Sequence, residues 1–168
     1  MEADEAKLAI TRPAQAMGTT IEPAAVAGIL QQTHRYPYFL QKWSYEAWNA
    51  ASDKKITAKD VERAAPRIVE KLDKNFFRVR FDRLTPTEQR YLRAMAQLGA
   101  GPHRSGEIAR KYGAKVETVG PIRSALIRKS MIYSPAHGDT AFTVPLFDEF
   151  VNRAARGERR GSSHSARR

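Results

Sequence analysis

Nine prolines, at positions 13, 23, 37, 66, 86, 102, 121, 135 and 145, set the limits on what this 168-residue chain can build. A proline has no N–H to donate and its ring crowds the preceding turn, so it opens a helix, bends it or ends it. Glu22-Pro23, Tyr36-Pro37 and Thr85-Pro86 each stand before apolar residues at helical spacing, and each reads as a helix start. Pro13 interrupts a first helical stretch over 3–17, predicting one kinked helix or two short pieces, with Gly18 as its stop. Short helices of this kind form a small bundle.

In the first half, Val26, Ile29 and Leu30 form one apolar stripe, and Phe39, Leu40, Trp43, Ala47 and Trp48 form another that reads as core. Thr57, with Asp60 three residues on, predicts a capped fourth helix whose buried face is Val61, Ala64, Ile68 and Leu72 and which Pro66 bends. A boundary is expected near 80–84, with Phe76, Phe77, Val79 and Phe81 wedged between the two halves.

Thr85-Pro86-Thr87-Glu88 combines a Thr cap, a Pro in the first turn and a Glu at the third position, and Tyr91, Leu92, Met95 and Leu98 follow as an inner stripe. Ser105 is the expected cap of a helix that Gly113 closes. A third helix runs from about Glu117 to Ser130, late or kinked because of Gly120-Pro121. Residues 131–134 and 140–144 then read as two strands around a Pro/Gly turn, before an amphipathic helix from Leu146. The expected fold class is mainly α: a helical bundle over 1–80, then a winged helix-turn-helix with one short β-hairpin over 81–154. Residues 155–168 are expected to be a disordered basic tail.

Lys plus Arg number 29 and Asp plus Glu 18, a net charge of +11. The last sixteen residues carry six arginines and one glutamate, but the rest of the chain is still +6. Such an excess favours an anionic partner, with nucleic acid first. No apolar run is long enough to span a membrane. No secretory leader is legible at the acidic N-terminus. The absence of cysteine excludes disulfides and thiolate metal sites and fits a reducing, cytoplasmic setting.

The order helix, helix, turn, helix, hairpin makes the helix after Gly113-Ala114 the candidate recognition helix. Its expected contacts with duplex DNA are Lys115, Glu117, Thr118, Arg123, Ser124 and Arg128. Arg104, Ser105 at a helix N-terminus, and His137 at the hairpin tip join them. Residues 104–129 hold seven cations against Glu107 and Glu117, a phosphate-binding footprint of +5. Glu117 repels phosphate but can accept from cytosine. The competing reading is a solvated helix face on a protein-contact module, which predicts an exposed apolar patch near Phe39, Trp43 or Phe76. DNA contact predicts that charge reversal at Arg123 and Lys115 abolishes binding while the fold survives. No phosphate loop, metal-ligand spacing or nucleophile–base pair is present, so no enzyme activity is expected.

Two runs carry a family resemblance. The run from Phe76 through Phe81 and Thr85-Pro-Thr-Glu88 to Met95 resembles the entry into the C-terminal domain of prokaryotic AAA-type ATPases. So does Met131-Ile-Tyr-Ser-Pro-Ala-His-Gly-Asp-Thr-Ala-Phe-Thr-Val-Pro-Leu-Phe-Asp-Glu-Phe150. These ATPases are similar to the origin-recognition and signal-transduction kinds: a P-loop domain, a helical lid, then a winged helix. The resemblance covers about residues 3–153. It implies a chain that is the C-terminal portion of such a protein, without its P-loop domain. It implies no cofactor here, since ATP and magnesium belong to the missing domain. The implied partners are duplex DNA, and a P-loop domain in trans or like subunits. In the family a Gly-Gly-x-Pro turn beside the nucleotide precedes the lid helix. The matching positions are His34, Arg35, Tyr36 and Pro37, so Arg35, Tyr36 and Pro37 become the nucleotide-lid candidates, although His34 and Arg35 replace the two glycines.

Overall fold

The computed structural model describes residues 1–165, with side chains through Gly157. The chain is mainly helical with two small sheets, and it divides into two compact units between Asn75 and Phe76. The expected boundary lay five residues later.

The first unit holds α1 (Ala3–Ala16), β1 (Thr20–Ile21), α2 (Pro23–Thr33), α3 (Pro37–Ala50), β2 (Lys55–Ile56) and α4 (Ala58–Leu72). Pro23 and Pro37 stand in the first turns of their helices, where a missing N–H costs nothing. Ile10, Ile29, Phe39, Trp43, Ile56 and Ile68 are fully buried. Glu46 on α3 pairs with Lys71 and Arg67 of α4. The α4 cap is reciprocal. Asp60 N–H donates to Thr57 Oγ1 at 3.3 Å, and Thr57 N–H donates to Asp60 Oδ2 at 2.9 Å. Both α1 and α4 run as single helices through Pro13 and Pro66. Their buried stripes on both sides of the proline supply the stability that one lost hydrogen bond removes. The parallel pairing of Thr20 with Lys55 and Ile21 with Ile56 has no counterpart in the sequence reading, because two-residue strands show no periodicity.

The chain leaves α4 through a π-helical turn, Asp73–Phe77, and a short α5 (Arg78–Phe81). The second unit continues with α6 (Pro86–Ala96), β3 (His103–Arg104), α7 (Ser105–Tyr112), α8 (Val116–Arg128), β4 (Ile132–Tyr133), β5 (Asp139–Phe142) and α9 (Phe147–Ser165). The three strands make one antiparallel sheet in the order β3-β5-β4. This is a winged-helix-like arrangement with one strand more than the expected hairpin. Helix α8 passes unbroken through Pro121 and starts at Val116, so it is neither late nor interrupted.

The expected interdomain wedge is instead the second unit's own aromatic core. Phe77 lies 5.5 Å from Phe147 and 5.4 Å from Phe150, and Phe81 lies 5.9 Å from Phe150, while Val79 is 44% exposed. Phe147, Phe150, Val151 and Ala154 anchor the start of α9. From that nucleus the helix extends through Ser165, across most of the segment expected to be a disordered tail, since adding residues to an anchored helix is far easier than starting one. Residues 166–168 lie outside the described residues.

Glu88 joins the two ends of the three-helix core. Its carboxylate accepts from Thr85 N–H at 2.8 Å and from Lys129 Nζ at 2.7 Å, and its side chain is 7% exposed. Burial pushes its pKa up, but the Lys129 and Thr85 hydrogen bonds outweigh burial and hold it below the ordinary value of 4.5. A carboxylate depressed in the folded state stabilises the fold above its unfolded pKa, and that stability is lost as pH falls through the folded value. Urea unfolding followed by circular dichroism from pH 7 to pH 3 is therefore expected to lose stability on acidification. In Glu88→Gln the loss is expected to be smaller and the stability at pH 7 lower.

Candidate nucleic-acid interface

The turn between α7 and α8 is built by Gly113, at φ +85°, a conformation that side chains resist. Arg90 braces it. Its Nη2 donates to Tyr112 O at 2.9 Å and its guanidinium lies 4.4 Å from the Tyr112 ring centre. The sequence reading missed Arg90, since nothing local ties an arginine on α6 to a turn twenty-two residues on. The brace presents Lys115 as the residue that opens α8.

The exposed face of α8 carries Lys115, Val116, Glu117 and Thr118 at its start, then Pro121, Ser124 and Arg128 at helical intervals. Arg110 and Lys111, at the end of α7, are exposed beside that start. Arg110, Lys111, Lys115 and Arg128 make no ion pair with any of the described residues.

The other three cations of 104–129 are engaged within the fold. Lys129 is held by Glu88. Arg104 Nε lies 3.2 Å from the Asp139 carboxylate, and its Nη1 donates to His137 O at 3.2 Å. Arg123 donates through Nε to Thr140 Oγ1 at 2.8 Å and through Nη2 to Asp139 O at 2.9 Å. Thr140 is fully buried and Arg123 partly so. Burial raises the pKa of the neighbouring Tyr91 phenol, and the Arg123 charge and the Thr140 hydroxyl pull it the other way. Ser105 is not the cap of α7, a position Arg104 occupies. Its N–H and its hydroxyl both donate to Gly138 O, at 2.8 and 2.9 Å, so neither points to a phosphate. His137 is exposed at the hairpin tip. Glu107 accepts from Arg104 N–H at 3.1 Å, which leaves Glu117 as the exposed carboxylate on α8. Reversing the charge of Arg123 would thus break the hairpin's attachment as well as change charge, so loss of binding there would not by itself report a phosphate contact.

Arg35, Tyr36 and Pro37 lie in the first unit, where Tyr36 caps α3 and its ring sits 4.8 Å from Phe39. His34 and Arg35 hold φ of 48° and 58°. Both therefore keep the left-handed backbone that glycine adopts freely, helped by Arg35 N–H donating to Thr33 Oγ1 at 3.3 Å. Phe39 and Trp43 are fully buried and Phe76 is 7% exposed, so the expected apolar patch is absent from those positions. A groove of about 400 Å³ between α1, α3 and β2 has buried Ile10 and Ile56 among its lining, with Pro13, Trp48 and the exposed Met17 and Tyr45. Among the described residues no acidic or histidine cluster could hold a metal ion, and no helix is long and apolar enough to cross a membrane.

Residues 74–151 match a family model described as a domain of unknown function, DUF8462. No curated protein matches the chain. Among solved structures the chain is similar to RuvB of Thermotoga maritima. One mutant form is 18% identical with a TM-score of 0.41, over 83% of this chain and 45% of that one. A second mutant form is 17% identical at the same TM-score. A form titled Holliday junction branch migration motor is 17% identical with a TM-score of 0.40, over 83% and 46%. The chain spans less than half the length of these structures.

A left-handed backbone costs a side-chain-bearing residue about 1 kcal/mol that glycine does not incur. Arg35→Gly is therefore expected to stabilise the chain by up to about 1 kcal/mol in urea unfolding, and Gly113→Ala to destabilise it by about 1 kcal/mol or more.

Proposed function

We propose that this chain is a non-catalytic module of an AAA-type ATPase whose winged helix binds duplex DNA. The observation that carries the reading is a set of four exposed cations with no ion pair among the described residues: Lys115 and Arg128 at the two ends of α8, and Arg110 and Lys111 at the end of α7 beside its start. Cations so placed suit phosphates on either side of a groove, while Val116, Glu117, Thr118 and Ser124 face the base edges between them. The net charge of +11 favours approach to a polyanion. The ATPase context rests on the sequence resemblance, and the P-loop domain in trans is the partner it implies.

A second reading has its own support in the apolar groove of the first unit: an assembly module that docks on a protein partner.

The test is fluorescence anisotropy of a labelled duplex across a salt series, with the full chain and with a chain ending at Gly157. The shorter chain keeps every described buried side chain and loses four arginines of the C-terminal segment. Four phosphate contacts predict that log affinity falls with log salt at a slope of about −3.6 for the shorter chain, and Lys115→Ala is expected to reduce that slope by about 1. Binding by the full chain alone would assign the affinity to the C-terminal segment and leave the assembly reading.

A further inference from the structure

The hairpin tip is held by its carbonyl groups. His137 O accepts from Arg104, Gly138 O from the N–H and hydroxyl of Ser105, and Asp139 O from Arg123. The donors come from three places: β3, the first turn of α7, and the middle of α8. Gly138 sits at φ +79°, and a Cβ there would lie 3.4 Å from Arg104 Nη1, so the tip is closed down on that guanidinium. The Ser134 hydroxyl, on the opposite arm, also donates to Asp139 O at 2.9 Å. Arg123 is the one member of this set that lies on α8 itself. Its fork spans a backbone carbonyl and the hydroxyl of the fully buried Thr140.

The geometry points to Arg123 as a positioning residue for duplex binding: it sets the wing against α8 before DNA arrives and makes no phosphate contact itself. This rests on the duplex-binding reading above. A wing already in place loses little freedom on binding, whereas a loose hairpin must be ordered at the cost of affinity. Arg104 supports the same tip from β3. Its guanidinium is largely exposed, so the division of labour is sharpest at Arg123.

Charge and shape separate the two roles of an arginine. A phosphate contact survives replacement by lysine, which keeps the charge, whereas a fork holding two acceptors does not. The experiment uses the full chain in five forms: unsubstituted, Arg123→Lys, Arg123→Ala, Thr140→Val, and Lys115→Ala as the phosphate comparator. Circular dichroism verifies folding, and Thr140→Val provides a second route to the same lost contact. Duplex affinity is measured across a salt series, and backbone amide exchange is followed over residues 136–142.

The expected result is that Arg123→Lys, Arg123→Ala and Thr140→Val all bind about three- to tenfold more weakly, with the salt slope unchanged and exchange at the tip accelerated. Lys115→Ala is expected to reduce the slope by about 1 without altering exchange at the tip. Recovery of full affinity in Arg123→Lys, or a slope reduced by about 1 in Arg123→Ala, makes Arg123 a phosphate contact and overturns the positioning role. Unchanged tip exchange in all three hairpin variants overturns it too. If the unsubstituted chain does not bind duplex at all, the duplex reading fails and the role falls with it. That outcome is separable, because it appears before any substitution is made.

Discussion

Three consecutive carbonyl groups, of His137, Gly138 and Asp139, have to find donors wherever the hairpin folds over. Backbone acceptors at a turn go to water or to side chains, and the choice decides whether a hairpin is an arm or part of the domain. Here the donors from outside the hairpin are two arginines and a serine, from β3, α7 and α8. The register of β3 on β5, which places Arg104 opposite Asp139, brings those donors within reach. The placement of α8 relative to the hairpin follows from the same contacts.

The basic character of the second unit divides by that constraint. Arg104, Arg123 and Lys129 serve the fold, through the hairpin tip and through Glu88. Arg110, Lys111, Lys115 and Arg128 remain at the surface. A charge total cannot make this distinction, because a guanidinium held by two internal acceptors and one facing solvent each count as +1. In the first unit Phe39 and Trp43 are consumed by the core, while Tyr45 and Met17 stay exposed on a groove between α1, α3 and β2.

Helix starts and stops were legible because their chemistry is local. Thr57 with Asp60, and Thr85 with Glu88, close hydrogen bonds across three residues, and Gly113 answers one backbone angle. The layout of α6, α7, α8 and the hairpin followed from those signals. The strands β1, β2 and β3 were not legible, since two residues carry no period and their pairing depends on partners more than thirty positions away. Which residues of the candidate site stay exposed was only partly legible. Lys115, Glu117, Thr118, Ser124, Arg128 and His137 are exposed as expected, whereas Ser105 and Arg123 face inward to the hairpin.

Sequence alone determined that this chain would be mainly helical, with capped and proline-started helices, and with a helix-turn-helix and a hairpin in its second half. Periodicity, capping and charge are properties of neighbouring residues and need no tertiary information. Only the tertiary structure decided which arginines remain available, how His34 and Arg35 hold a glycine-like backbone, and that Phe77 and Phe81 pack on α9. Each of those outcomes depends on groups far apart in the chain. Burial and hydrogen bonding select among side chains of identical charge only after the chain has folded.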